Sequence, residues 1–375
     1  KRLSSSSKSV MRYDQVCLES IAYTLPTEVV SSSEIEQRLA PIYERLKLPE
    51  GRLELITGIQ ERRFWSPGTL PSEKSIESAE QAIQVAEVAR QEIGLLIHGS
   101  VCRDHLEPAT ACRVHHSLGL DSNCILYDVS NACLGMLNGM LQAANMIQLG
   151  QIRSALVVGT ESSRALVETT IETLNEQTDL TRNQIKPALA SLTIGSGSCA
   201  VLLTHRDISR TGNLLSSAVA VANTSHHALC HSGKDEAADA SMQPLMTTDS
   251  EALLREGIVT GTLAFETFLA ESNWSRAEIN KTICHQVGGA HRKQMLSALG
   301  LNLEDDFSTF QWLGNTGSVA LPITLAVALE QNQIQTADQL ALLGIGSGIN
   351  CLMLGLQWQR TLVASNLALV NSSQA

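Results

Sequence analysis

The feature that most restricts the fold is an internal repeat. Asn131-Ala-Cys133 opens a run rich in Ala, Gly, Leu and Met that is followed by an apolar strand containing Gly159. Asn315-Thr-Gly317 opens a second such run, followed by an apolar strand containing Gly344. The two modules have spacings of 28 (131 to 159) and 29 (315 to 344). Each reads as loop, small-residue helix, strand and glycine turn. Helices of this composition are buried ones, so two copies imply two similar α/β halves packed with equivalent helices meeting at the centre. The boundary is expected between residues 204 and 214. That gives an N-terminal half over 14–205 with the candidate nucleophile, and a C-terminal half over 206–375.

Around these modules the patterning predicts a strand over 14–23 and a helix over 34–46 capped by Ser32 or Ser33. A loop over 55–65, a long helix over 75–93 and a strand over 94–100 come next. A helix over 110–118 and a short buried strand over 123–129 lead to Cys133. In the second half, a strand over 280–287 precedes a helix from 314 to about 331 and a strand over 340–345. Polar stretches at 225–238 and 240–248 are expected to form a mobile loop over the active site.

Composition narrows the class. With 375 residues, 43% hydrophobic and 17% charged, the chain has ample core and little room for long disorder; aromatics at 3% leave that core to Leu, Ile, Val and Ala. A formal charge of -11 and a pI near 5.4 argue against a general binder of nucleic acid or anionic membrane. The nine cysteines are scattered without a CxxC pair, the pattern of reduced thiols in a cytoplasmic protein and not of a disulfide framework or a metal site. No apolar run is long enough to span a bilayer. Residues 1–13 are expected to be a disordered tail. They start basic and serine-rich with no apolar core of a signal peptide, and Met11 is the expected natural start.

Three polar groups stand where the repeat would bring them together. Cys133 falls at or near a helix N-terminus, where free N–H groups and the helix dipole favour a thiolate. His285 closes a strand, and Asn315 begins the twin of the cysteine helix. Each alone has an ordinary structural explanation: core thiol, satisfied strand-end imidazole, N-cap. Together, in duplicated positions, they form the layout expected for acyl transfer through a thioester. His226, His227, Cys230 and His231 have a spacing that fits no common metal site. Gly344-Ile-Gly-Ser-Gly348 lacks the helix and acidic follower of a dinucleotide fingerprint.

Asn131-Ala-Cys133, His285-Gln-Val, Gly314-Asn315-Thr-Gly, Thr57-Gly-Ile-Gln-Glu-Arg-Arg63 and Gly344-Ile-Gly-Ser-Gly348 occur in an order that resembles the ketoacyl-ACP synthase III group of the thiolase superfamily, over about residues 14–358. The resemblance implies a five-layered αβαβα fold of two duplicated halves, an obligate homodimer, and Claisen condensation of acyl thioesters by the Cys-His-Asn set. It also implies an oxyanion site made by the backbone N–H groups of Cys133 and Ser347. Ile56 stands where these synthases often carry an arginine beside the coenzyme A tunnel, so coenzyme A contacts do not transfer, and Arg62 and Arg63 are open to a purely structural role.

One position narrows the group. Initiating synthases usually place an apolar residue before the proline of the turn that follows the third-layer strand; here it is Glu107, in Arg103-Asp-His-Leu-Glu-Pro108. That stretch resembles the olefin-biosynthesis condensing enzymes of the group, which join two long-chain acyl-CoA molecules head to head. Their second substrate must lose an α-proton, and a carboxylate reaching from the partner subunit into an apolar channel is a suitable base. The expected product is a 2-alkyl-3-keto acid passed to downstream olefin-pathway enzymes, with coenzyme A thioesters as substrates and no cofactor. The competing reading is a decarboxylating 3-oxoacyl-ACP synthase III fed by malonyl-ACP. A papain-like cysteine hydrolase is opposed by the duplication, and a non-catalytic partner subunit by the retained Cys133, His285 and Asn315.

Overall fold

The computed structural model describes residues 11–233 and 245–368. Residues 1–10 of the expected tail and residues 234–244 of the expected loop lie outside the described residues. Residues 11–13 are not a tail: Met11–Arg12 pairs antiparallel with Ser217 and Ala218, and Tyr13 is buried.

The first half runs β1 (Val16–Thr24), α1 (Pro71–Ala86), β2 (Ile93–Gly99), α2 (Thr110–Leu118), β3 (Ile125–Val129), α3 (Gly135–Gln148), β4 (Ser154–Glu161) and β5 (Gly197–His205). The second runs β6 (Leu214–Ala222), α4 (Ser250–Ser272), β7 (Lys281–Cys284), α5 (Gly289–Leu299), β8 (Asp306–Phe307), α6 (Ala320–Glu330), β9 (Gln339–Gly346) and β10 (Asn350–Gln357). The strand order is β1-β5-β4-β2-β3 in the first half and β6-β10-β9-β7-β8 in the second, the same topology with every number raised by five. The strand senses also match: β5 is antiparallel to both β1 and β4, and β2 is parallel to both β4 and β3. The same senses recur among β6 to β10. The half-sheets meet through β1 and β6, at Cys17 and Leu214.

Burial explains the layering. Every residue of α6 from Ala320 to Leu329 is buried, as are nine residues of α3. A helix without a polar side, as α6 is, has to be enclosed, and α3 turns its apolar side to the same interior. Both helices share one core with strands of both halves, including Leu95, Val157, Val201, Leu342 and Leu354. On the outer side of the first half-sheet lie α1 and α2, through Ala79, Ala82, Ala111 and Val114. On the outer side of the second lie α4 and α5, through Phe265, Phe268, Met295 and Leu296. The result is a five-layered αβαβα fold of two duplicated halves. Among the described residues no helix is long and apolar enough to cross a membrane.

Several expected boundaries differ. Helix α1 begins at Pro71, where a missing N–H costs nothing, and stops at Ala86 because Glu87 turns left-handed (φ 55°). The expected helix over 34–46 is two helices, Ser32–Arg38 and Ala40–Leu46. The cap of the first is Ser31, whose hydroxyl accepts from the Glu34 N–H at 3.0 Å. The expected loop over 55–65 contains the end of helix Arg52–Thr57 and strand Glu61–Phe64, which pairs with Glu28–Ser31. Arg62 and Arg63 are buried there and donate to Val30 and Ser32 and to Pro26, which is a structural role. The strand expected to be buried, β3, is an edge strand, with Ile125 47% exposed.

Backbone contact sets where the cysteine helix can start. A Cβ on Gly99 would lie 2.7 Å from the Gly135 carbonyl oxygen, and one on Gly135 would lie 2.9 Å from the Gly99 carbonyl carbon. The end of β2 and the start of α3 therefore touch only because both residues are glycine. Gly99→Ala and Gly135→Ala are each expected to destabilise the fold by about 1–3 kcal/mol, the usual cost of overpacking. Denaturant unfolding of both variants checks this, and wild-type stability in either would contradict the contact.

Candidate active site

The candidate residues lie at the carboxyl ends of the parallel strands, where open α/β sheets gather their ligand sites. Cys133 follows β3, His285 follows β7, Asn315 follows β8 and Ser347 follows β9.

Cys133 stands on a sharp strand-to-helix turn. Ala132 is held in the left-handed region (φ 44°), which costs energy for a residue with a Cβ, and Leu134 N–H closes the turn on the Asn131 carbonyl at 2.9 Å. Asn131 is pinned in turn: its Nδ2 donates to Asn138 Oδ1 at 2.8 Å, and its Oδ1 accepts from Asn350 Nδ2 at 3.4 Å. The end of β9 packs against this turn, since a Cβ on Gly346 would lie 3.6 Å from the Cys133 nitrogen. Ser347 comes directly after, and its carbonyl accepts from Asn350 Nδ2 at 3.3 Å.

The thiol does not have the low pKa expected of a helix N-terminus. Burial pushes it up to about 12, and the nearby Glu161 and Cys230 push in the same direction. The regular helix starts only at Gly135, so the helix-end field is outweighed by desolvation. Cys133 is therefore a neutral thiol near pH 7.

His285 is also neutral. Its N–H donates to the Leu343 carbonyl at 3.1 Å, which anchors it to β9 three residues before Gly346. Burial, followed by the influence of His291, pushes its pKa down to about 3, and its Nδ1 is buried without a hydrogen-bond partner. His291, on α5, is pushed down to about 4 by burial. Both line a small apolar cavity with Met295, Leu299, Cys351 and Met353.

Asn315 has its amide orientation fixed. Its Oδ1 accepts from the Gly317 N–H at 3.0 Å, which leaves Nδ2 as a donor with no hydrogen bond among the described residues. Its backbone is clamped to Thr193 and Gly195, each at 2.9 Å. Gly314 before it (φ 66°) admits no side chain, because a Cβ would lie 2.5 Å from the Thr193 carbonyl oxygen.

Among the described residues no hydrogen bond or ion pair joins Glu107 to these groups. It is exposed on the loop between β2 and α2, next to the part-exposed apolar Leu106, and its carboxylate has no hydrogen bond or ion pair among the described residues. Of the His/Cys cluster, Cys230 Sγ contacts Thr248 Oγ1 at 3.4 Å and His226 faces Glu256 at 3.4 Å. No metal-binding group of three exists among the described residues.

Residues 71–190 match the thiolase N-terminal domain, and residues 269–358 match the C-terminal region of 3-oxoacyl-[acyl-carrier-protein] synthase III. The chain is 44% identical over 351 residues to the acyl-CoA:acyl-CoA alkyltransferase of Shewanella oneidensis, covering 93% of this chain and all of the relative. The alkyltransferase of Xanthomonas campestris is 33% identical over the same shares. The chain belongs to the acyl-CoA:acyl-CoA alkyltransferase family of the thiolase superfamily. Solved structures agree: a glutamate-to-glutamine variant of Xanthomonas campestris OleA superposes with a TM-score of 0.87 at 32% identity, covering 94% of this chain and 99% of that one. A cysteine-to-serine variant of the same protein with bound lauric acid and lauroyl-CoA gives 0.86 at 32% identity, covering 92% and 100%.

One buried residue beside this site is not singled out by the sequence pattern. Glu161, the last residue of β4, accepts from Val101 N–H at 3.1 Å, Cys102 N–H at 3.2 Å, Ser318 N–H at 3.3 Å and Ser318 Oγ–H at 2.6 Å. The available signal was a lone carboxylate directly after Ala155-Leu-Val-Val-Gly-Thr160, where the repeat places Gly346 in the other half.

The neutral imidazoles give a pH signature. His285 and His291 take up protons only on unfolding, so once pH falls below about 6.5 the unfolded chain binds more protons than the folded one and stability declines toward pH 4. Denaturant unfolding at pH 7 and pH 5 is expected to show this loss, and His291→Gln to reduce it. Equal stability at both values would mean that neither imidazole is held neutral.

Proposed function

We propose that this protein condenses two long-chain acyl-CoA molecules head to head, without decarboxylation, to a 2-alkyl-3-keto acid. Cys133 attacks the first thioester, and its proton passes to neutral His285 as the C–S bond forms. Coenzyme A leaves as its thiol, and an acyl-cysteine remains. The tetrahedral oxyanion is held by the backbone N–H groups of Cys133 and Ser347. The second acyl-CoA loses its α-proton to Glu107. Asn315 Nδ2 and an N–H of His285 donate to the resulting enolate oxygen, and the α-carbon attacks the acyl-cysteine. Hydrolysis of the β-ketoacyl thioester releases the second coenzyme A. The reaction balances as two acyl-CoA and one water giving one keto acid and two coenzyme A, so no redox group or metal is required.

The observation that carries this reading is the unpartnered Glu107 carboxylate in a chain that also keeps the Cys, His and Asn set. A malonyl donor generates its carbanion by losing CO2 and has no use for such a base; an unactivated acyl-CoA does. Because Glu107 is exposed and not hydrogen-bonded to Cys133, His285 or Asn315 among the described residues, the reading includes a homodimer in which Glu107 serves the partner's site. The exposed outer edge of β3 supports that assembly. Nine free cysteines support a cytoplasmic location, and the keto acid implies a downstream reductase in olefin formation.

Incubation with myristoyl-CoA alone is expected to yield, after spontaneous decarboxylation, the ketone one carbon short of two myristoyl chains. Cys133→Ala should abolish it, and Glu107→Ala should reduce it by about 10²-fold or more. Acyl-Cys133 accumulating without ketone, with turnover only when malonyl-ACP is added, would identify a decarboxylating synthase instead.

Mixing the two inactive variants tests the shared site. After subunit exchange, each heterodimer carries one complete site, so about a quarter of wild-type activity should return under twofold symmetry. No recovery despite demonstrated exchange would place Glu107 in its own subunit's site.

A further inference from the structure

We infer that Glu161 is a positioning residue of the condensation, fixing the turn that carries Asn315 to the root of the loop that carries Glu107. The inference rests on the roles proposed above for those two residues. Glu161 is 5% exposed, and its carboxylate accepts from both segments, Oε1 from each of them and Oε2 from one. Oε1 takes Val101 N–H together with Ser318 N–H and Oγ–H, while Oε2 takes Cys102 N–H. Val101 and Cys102 lie just after β2, at the start of the Glu107 loop. Ser318 lies three residues after Asn315. The carboxylate is therefore a bracket between two loops that share no regular secondary structure.

The repeat shows why a side chain fits there. Asn131 corresponds to Asn315, and two residues on Cys133 corresponds to Gly317; the strand ends Gly346 and Glu161 correspond likewise. At the reactive turn a cysteine faces a glycine. At its twin a glycine faces a glutamate, and a Cβ on Gly317 would lie 3.1 Å from Glu161 Cγ. One half leaves space beside the nucleophile; the other fills the same space with a carboxylate. Glu161 is anchored from behind as well, because its carbonyl accepts from Trp65 Nε1–H at 3.0 Å.

Glutamine in this place would keep the shape and lose the bracket. Its amide nitrogen cannot accept, so it would meet either Cys102 N–H or the Val101 and Ser318 donors as a mismatched pair. A charge readout separates this role from packing. The titratable groups around the carboxylate are Cys133 and Cys102, with Cys230 also bearing on Cys133; Glu161 pushes the thiols of Cys133 and Cys102 upward. Removing its charge must move Cys133 ionisation to lower pH.

The experiment is Glu161→Gln, read in two assays. With myristoyl-CoA, acyl-Cys133 formation followed by mass spectrometry should stay within about threefold of wild type while ketone formation falls about tenfold or more, since displaced donors cost the second step most. With iodoacetamide, the pH–rate profile of Cys133, followed by peptide mass spectrometry, should shift to lower pH. Condensation within twofold of wild type, or an unshifted alkylation profile, would overturn the inference. Ser318→Ala guards against a misfolded variant: it removes one donor and keeps the charge, so it should lower condensation with acylation retained and the alkylation profile unmoved. Full condensation by Ser318→Ala would also overturn the inference. Alkylation involves no acyl donor, so failure of the head-to-head reading leaves that arm intact.

Discussion

The fold depends on enclosing a helix that cannot face water. Helix α6 has almost no polar surface to present, and with α3, which buries nine residues beside it, it occupies the space between two sheets. Enclosure fixes the rest. Each sheet then needs a helical layer on its other side, which α1, α2, α4 and α5 supply. The loops that enter α3 and α6 must both emerge at the carboxyl ends of the parallel strands. Cys133 and Asn315 sit on those loops, so the site is a by-product of burying the helices.

Near-symmetry alone would have made two equal turns and no distinction of role. The difference arises from single residues: cysteine against glycine at the turn, and glycine against glutamate at the facing strand end. Gly346 leaves the Cys133 nitrogen approachable, whereas Glu161 closes the equivalent space beside Gly317. The half without the cysteine carries an asparagine, with Oδ1 tied to the Gly317 N–H and the amide donors without a hydrogen bond among the described residues. In the proposed reaction the duplicated scaffold would divide the labour between its copies.

The duplication and the five layers were legible because each rests on runs of contiguous sequence. Small-residue runs mark buried helices, and the spacing repeats between halves. Local ends were less legible. Three serines in a row hid the cap until the Glu34 at the third following position is used to choose Ser31. Helix α1 stops at Glu87 without a glycine to announce it. The exposed edge of β3 was unreadable, because an apolar strand at a sheet edge and one in its interior can have the same composition. Glu161 was missed for a different reason: its four donors come from segments some 60 and 157 residues away. No local pattern encodes that convergence.

The protonation states contain the remaining constraint. A helix-end argument favours a thiolate at Cys133, yet burial works against any charge, and it acts on Cys133 and His285 in opposite directions: the thiol rises and the imidazole falls. Both are therefore neutral before substrate arrives, and a standing thiolate–imidazolium pair is disfavoured at both ends. In the proposed reaction, proton transfer would therefore accompany the attack on the thioester, when the developing oxyanion supplies a charge that backbone N–H groups can hold. The same rule would apply to the proposed second step, where an enolate in a buried site is best met by donors already in place. Under that proposal Asn315 serves only as long as its amide is held in one orientation, which the bonds to Thr193, Gly195 and Gly317 provide.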